Sequence, residues 1–256
     1  MLAIRAEQVQ AFEVSARRAF EDEMTRHAAQ FSPALTAVIG EEQIRIAVRQ
    51  IIAKASHYGF TLRGPIRLFV ELMLMCGSSF ATDPQFAVIG EALNLRGGEM
   101  GRAEAMQAAH SEYLEQVAGP GNANVNAALF ALANFARNFS DAGGSDLDRI
   151  LLSELARGFP QRASYSGQAV LIEIIRQGRA EARVRGMESE RGQALIVIMM
   201  SAFGHGCTVD PLYPWISRTL SDPNIVDAKA RADRLERKAL TWLHQVLDRI
   251  SQGIPI

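Results

Sequence analysis

Pro65-Ile-Arg-Leu-Phe-Val-Glu-Leu-Met-Leu-Met-Cys-Gly-Ser-Ser-Phe-Ala-Thr-Asp-Pro84 is a stretch that the chain writes twice. Its second copy is Gly192-Gln-Ala-Leu-Ile-Val-Ile-Met-Met-Ser-Ala-Phe-Gly-His-Gly-Cys-Thr-Val-Asp-Pro211. Each copy is an apolar run, a glycine stop, a short polar loop and an Asp-Pro pair. An apolar run without period-two alternation, hydrophobic on every side, reads as a central helix rather than a surface one. Asp followed by Pro reads as a helix start: the carboxylate accepts from free amides, and proline sits where no donor is needed.

Outward from this stretch the match continues. At a constant offset of 127, residues 44–93 and 171–220 share 13 of 50 positions, among them Arg49/Arg176, Gly59/Gly186, Gly77/Gly204, Asp83/Asp210 and Pro84/Pro211. After a two-residue insertion the offset becomes 129, pairing Tyr113-Leu114 with Trp242-Leu243 and Gln116-Val117 with Gln245-Val246. An internal repeat of this length is expected to be a repeated structural unit. The expected fold is all-α: two tandem repeats of a roughly five-helix unit, 1–121 and 122–256, packed into one pseudo-twofold bundle. The boundary is placed in the turn-rich Ala118-Gly-Pro-Gly-Asn-Ala-Asn.

Within the first unit, Val9, Phe12, Ala16, Phe20, Met24, His27 and Phe31 recur at three- and four-residue steps and predict one buried stripe on a helix ending near Gln30. Helices are predicted over about 41–58, 65–76, 84–94 and 102–117, and in the second unit over about 124–138, 146–157, 189–203, 211–220 and 227–250. The two helices at 124–138 and 146–157 are split by Ala142-Gly-Gly. Gly59, Gly77, Gly186 and Gly204 are read as helix stops, and Asp83-Pro84 and Asp210-Pro211 as helix starts.

Composition excludes more than it assigns. The chain of 256 residues has 48% apolar and 21% charged residues, ordinary for a globular protein. Its 27 Lys and Arg against 28 Asp and Glu leave a net charge of −1, so no global field draws in nucleic acid. The arginine-rich stretch from Arg176 to Met187 reads as a solvated helix face. No leader is visible at the first residues, and the longest apolar run, Ala194–Met200, falls short of a span of about 20 residues, so the expected location is cytoplasmic, off the membrane. Cys76 aligns with Phe203 while Phe80 aligns with Cys207, which reads as a volume trade in a packed core rather than a disulfide or ligand pair.

No phosphate loop, zinc spacing or nucleophile elbow occurs, so no catalytic, metal or cofactor residues are assigned. Glu71 stands in the central apolar helix where the second copy has Ile198, and a carboxylate there needs a partner. Arg67, one turn earlier, is the candidate; a polar lining for a pocket or interface is the alternative. His205, beside Cys207, and Tyr213 with Trp215, after the second Asp-Pro, complete the candidate partner-binding residues.

These residues carry a resemblance. Phe31-Ser-Pro33, Ala-Ser-His-Tyr58-Gly59, Gly77, Phe80 and Asp83-Pro84, and still more Gly204-His-Gly-Cys-Thr-Val-Asp-Pro-Leu-Tyr-Pro-Trp215, make the chain similar to a little-characterised group of small helical bacterial proteins encoded beside type VI secretion components and their toxic effectors. This chain departs from that pattern in being doubled, in Cys207 where an aromatic is usual, and in Arg185 where a tyrosine precedes the glycine. The resemblance implies an adaptor or chaperone for a secreted effector, or an immunity protein that neutralises one. Two further readings stay open beside it: a hydrolase using Glu71 with His57 or His205, and a module that pairs with copies of itself.

Overall fold

The computed structural model describes residues 6–138 and 146–254, and among these it is helical throughout without a strand. A long α1 (Ala6–Phe31) is followed by α2 (Pro33–Ile39), α3 (Glu41–His57) and α4 (Arg63–Cys76). Two 3-10 turns, Phe80–Thr82 and Pro84–Phe86, lead into α5 (Ala87–Leu93) and α6 (Glu99–Val117). The 3-10 turn Pro120–Asn122 opens onto α7 (Ala123–Asn138), after which come α8 (Leu147–Gly158), α9 (Pro160–Ser166), α10 (Gln168–Val184), α11 (Glu190–Phe203), α12 (Pro214–Leu220) and α13 (Ala228–Ser251). The break expected at Ala142-Gly-Gly lies outside the described residues.

The helix bounds recur at the offsets found in the sequence. α2, α3, α4 and α5 start and stop 127 residues before α9, α10, α11 and α12, and α6 starts 129 residues before α13. Two seven-residue helices, α2 and α9, were not expected. Both carry proline in their first turn, which pre-sets the helical φ without losing a needed donor, yet they are too short for any periodicity to announce them.

α4 and α11 are the central helices. α4 is packed against α1, α3 and α6, and α11 against α7, α8, α10 and α13. Every residue from Gly192 to Ser201 is buried, as is most of Pro65–Cys76. Phe69 lies under Phe60 and Phe80, with ring centroids 4.9 and 5.5 Å away. One continuous core takes in Ile44, Phe69 and Leu93 together with Leu151, Ile196 and Leu243. The late helices cross over: α6 rests against α9, and α13 rests against α2. The turn at 118–124 therefore joins two stretches that share one interior.

The amphipathic stripe of α1 departs from expectation. Met24 and His27 are buried and Phe20 and Phe31 are half-buried, but Phe12 and Ala16 are exposed, Phe12 at 70%. All residues from 10 to 19 are exposed, about 15 Å of helix, with Val14, Arg17 and Arg18 edging a hollow shared with Glu42, Arg45 and Arg49 of α3. Periodicity reports that a helix has an apolar face; it does not report what covers that face.

Both cysteines are buried and free. Cys76 and Phe80, and Phe203 and Cys207, are all core residues, and burial pushes both thiols up. Among the described residues no helix is long and apolar enough to cross a membrane.

Candidate functional site

The loops that follow α4 and α11 meet at the centre of the molecule, and the geometry of that meeting explains the repeated glycines. Gly77 and Gly204 have φ of 85° and 92° with ψ of 159° and 153°. This is a mirror-extended conformation open essentially to glycine alone. A β-carbon on Gly77 would lie 2.5 Å from the Phe203 carbonyl oxygen, and one on Gly204 would lie 2.6 Å from that of Cys76. Two backbones pass in contact there. Gly59 and Gly186 do a different job: the next residue's amide reaches back to the Ala55 or Ala182 carbonyl, at 3.0 and 2.8 Å, closing a Schellman turn.

The two aspartates tie the loops together. Asp83 accepts from the Gln85 amide at 2.9 Å through Oδ1, and from the His205 amide at 2.7 Å through Oδ2. Asp210 accepts from the Leu212 amide at 2.8 Å through Oδ1, and from the Ser78 amide at 2.7 Å through Oδ2. Each carboxylate thus caps its own turn and, with its other oxygen, the amide after the opposite glycine. The turn it caps is short: the α-helices proper begin at Ala87 and Pro214, three residues past Pro84 and Pro211. Burial raises Asp210, opposed by the amides it accepts from and by Lys54, whose Nζ donates to the Ser78 carbonyl at 2.6 Å.

Glu71 has found partners. Its Oε1 lies 2.8 Å from His27 Nε2 and 3.3 Å from Arg67 Nε, so the expected Arg67 is joined by a histidine from α1. His205 is bonded elsewhere, through Nε2 to Thr82 at 3.1 Å and through Nδ1 to Gln177 at 3.2 Å. His57 is exposed and meets the Tyr58 ring edge-on at 5.7 Å. No acid–histidine pair of the hydrolase type is assembled from Glu71 with His57 or His205. Tyr213 is buried between Phe203 and Trp242, with centroids 4.7 and 5.5 Å away, and Trp215 meets Phe203 edge-on at 6.3 Å. Tyr213 therefore seals the core and offers no face to a partner. The four candidates fall at three separate places. Among the described residues, no group of three His, Cys, Asp or Glu could hold a metal ion.

Three of the four arginines from Arg176 to Arg185, on α10 and its C-cap, are in ion pairs. Arg176 pairs with Glu173, Arg185 with Glu181, and Arg179 with Asp148. Arg176 in turn holds the Glu173 carboxyl down to about 2.

Two features escaped the sequence reading. Arg102 donates to the Tyr58 carbonyl at 2.9 Å and Arg231 to the Arg185 carbonyl at 3.1 Å, each capping the C-terminus of α3 or α10. Their signal was present, since they are 129 residues apart like Tyr113 and Trp242. The other feature is a cavity of about 130 Å³ between α4, α6 and α7, lined among others by Ser32, His110, Tyr113 and Arg162. At the matching offsets these four become Phe159, Ala239, Trp242 and Leu35. A polar set facing an apolar set across the repeat is the signal for this cavity, of the same kind as Glu71 facing Ile198.

Set against known proteins, the chain matches no family model, no curated protein and no solved structure.

Proposed function

We propose that this chain is a non-catalytic protein-interaction scaffold, two copies of one helical module about a pseudo-twofold axis, serving as adaptor or chaperone for an effector of a type VI secretion system. The doubled module is supported by the equal helix bounds and by the reciprocal bonds of Asp83 and Asp210 to the His205 and Ser78 amides. Under an exchange of halves each of these bonds maps onto the other.

The interaction role rests on one observation. The first half of α1 carries Phe12 and Val14, 70% and 63% exposed, on a stretch of helix whose residues 10–19 are all exposed. Phe12 and Val14 are two residues apart and so leave α1 on opposite sides, where a partner that wraps the helix would cover both. Arg17, Arg18, Glu21 and Asp22 beside Val14 supply a mixed-charge rim. The secretion context comes from the resemblance alone.

The test is co-expression with the effector encoded nearest to this chain. The parent is expected to copurify with the effector and to be needed for its export. Phe12→Ser with Val14→Ser should lose copurification while melting like the parent, because neither side chain is in the core. If the chain instead rescues cells from the effector without affecting export, the adaptor role fails and the immunity role replaces it.

A further inference from the structure

Independently of that reading, we infer that the cavity between α4, α6 and α7 binds a small carboxylate with an apolar body of about the size of benzoate. At about 130 Å³ the cavity is close to the roughly 150 Å³ of an engineered cavity known to take benzene. Phe31, Leu74, Leu114 and Val117 give it apolar walls.

The polar part of the lining is the informative one. Ser32, His110 and Tyr113 are 2%, 4% and 6% exposed; Ser32 Oγ and His110 Nε2 lack a hydrogen-bond partner in the protein, and the Tyr113 phenol is met only by the Arg162 guanidinium. Buried polar atoms are seldom left so, and two along one small cavity, beside an arginine–phenol pair, mark a place where something else completes them. Arg162 stands with them. Its Nη1 donates to the Ser201 carbonyl and its guanidinium lies 5.5 Å from the Phe159 ring, but its Nε has no partner. None of the ion pairs among the described residues involves Arg162.

The chemistry favours an acceptor with a negative charge. The arginine can only donate, and burial pushes the neighbouring Tyr113 phenol up, keeping it a protonated donor. Burial also holds His110 below the usual imidazole range, so it is neutral and adds one donor or acceptor without a second charge. The Asp83 carboxylate, which also acts on Tyr113, is already spent on the Gln85 and His205 amides. A single guanidinium with a phenol suits a monoanionic carboxylate. A phosphate would call for more donors than this lining offers, and a wholly apolar guest would leave all of them unpaired.

The test is calorimetric titration of the full chain with sodium benzoate, with toluene as the neutral probe of the same shape. Saturable one-to-one binding is expected, with a Kd of about 1 mM or tighter. Toluene should bind at least about tenfold more weakly. Arg162→Met, which keeps the aliphatic stem, should weaken benzoate about 30-fold. Val125→Trp, at a half-buried lining position, should abolish binding by filling the mouth, and it serves should the arginine variant fail to fold. The inference is overturned by absence of saturable benzoate binding, by equal affinity for toluene, or by undiminished binding in either folded variant.

Discussion

Replacing Asp83 by alanine strands two amides in parts of the chain 120 residues apart. The carboxylate is 2% exposed and accepts from the Gln85 amide at 2.9 Å and the His205 amide at 2.7 Å. Each orphaned buried amide costs about 1–3 kcal/mol. Removing a buried carboxylate returns part of this, because its own desolvation is relieved, so the net loss should be about 3 kcal/mol. For a chain of this size a loss of 1 kcal/mol lowers Tm by about 2–4 °C, which places the variant about 6–12 °C below the parent. Asp83→Asn keeps one acceptor oxygen and should lose about half as much. Asp210→Ala should come close to Asp83→Ala, since its two backbone bonds are 2.8 and 2.7 Å, while Asp83 accepts in addition from the Gln85 side-chain amide at 3.3 Å. The double variant should fall short of the sum by more than about 0.5 kcal/mol, because once one loop is released the other no longer faces its partner. The assay is urea unfolding at pH 7, followed in parallel by far- and near-ultraviolet circular dichroism to establish a single transition. An Asp83→Ala variant within about 0.5 kcal/mol of the parent, or a strictly additive pair, would refute the view that these carboxylates hold the halves together.

Further outcomes follow from the same contacts. Gly204→Ala and Gly40→Ala meet nearly the same backbone strain, with φ of 92° and 89°, but only the former drives a β-carbon to 2.6 Å from a carbonyl oxygen, that of Cys76, while nothing stands within 4 Å of Gly40. Gly204→Ala should therefore be at least about 2 kcal/mol the more destabilising by the same denaturant assay. Because burial lowers the native His110 pKa below its ordinary 6.5, the unfolded chain takes up a proton under pH 6.5 that the native one does not. The stability present above 6.5 is thus lost as pH falls through the native value, at up to about 1.4 kcal/mol per pH unit, and His110→Leu should flatten that slope when unfolding is compared across the range. Both thiols are buried and pushed up, so a thiol-reactive dye should label neither Cys76 nor Cys207 in the native protein and both in urea. Equal labelling rates in the two states would show that the cysteines are accessible.

What was legible in the sequence was local. Period and apolar content marked α3, α4, α6, α7, α8, α11 and α13 to within a few residues, because an amphipathic or wholly apolar helix must show its burial in its own spacing. Gly59 and Gly186 were readable as stops because the Schellman turn they close lies within six residues of chain. The aspartates were half readable: the bond from Oδ1 to the amide two residues on is local, whereas the bond from Oδ2 crosses to a loop more than 120 residues away. Gly77 and Gly204 looked like further stops, yet it is the opposing carbonyl at 2.5 or 2.6 Å that leaves no room for a side chain.

The candidate sites show the same division. Glu71 stood out in sequence because a carboxylate in an apolar helix is locally anomalous, and Arg67 was near enough in the chain to name, but His27 comes from α1 and only packing brings it in. The cavity is marked in the sequence only by comparison of the two copies, not by any local signal. Ser32, His110, Tyr113 and Arg162 belong to three separate stretches, and each is unremarkable where it stands. The stripe on α1 makes the converse point: its spacing alone determined an apolar face along one helix, while the reach of the other helices, which cover it from Phe20 onward, decided which part of that face is core and which is exposed. Spacing encodes conformation over a few turns of chain; contact, enclosure and exposure depend on distant segments arriving together.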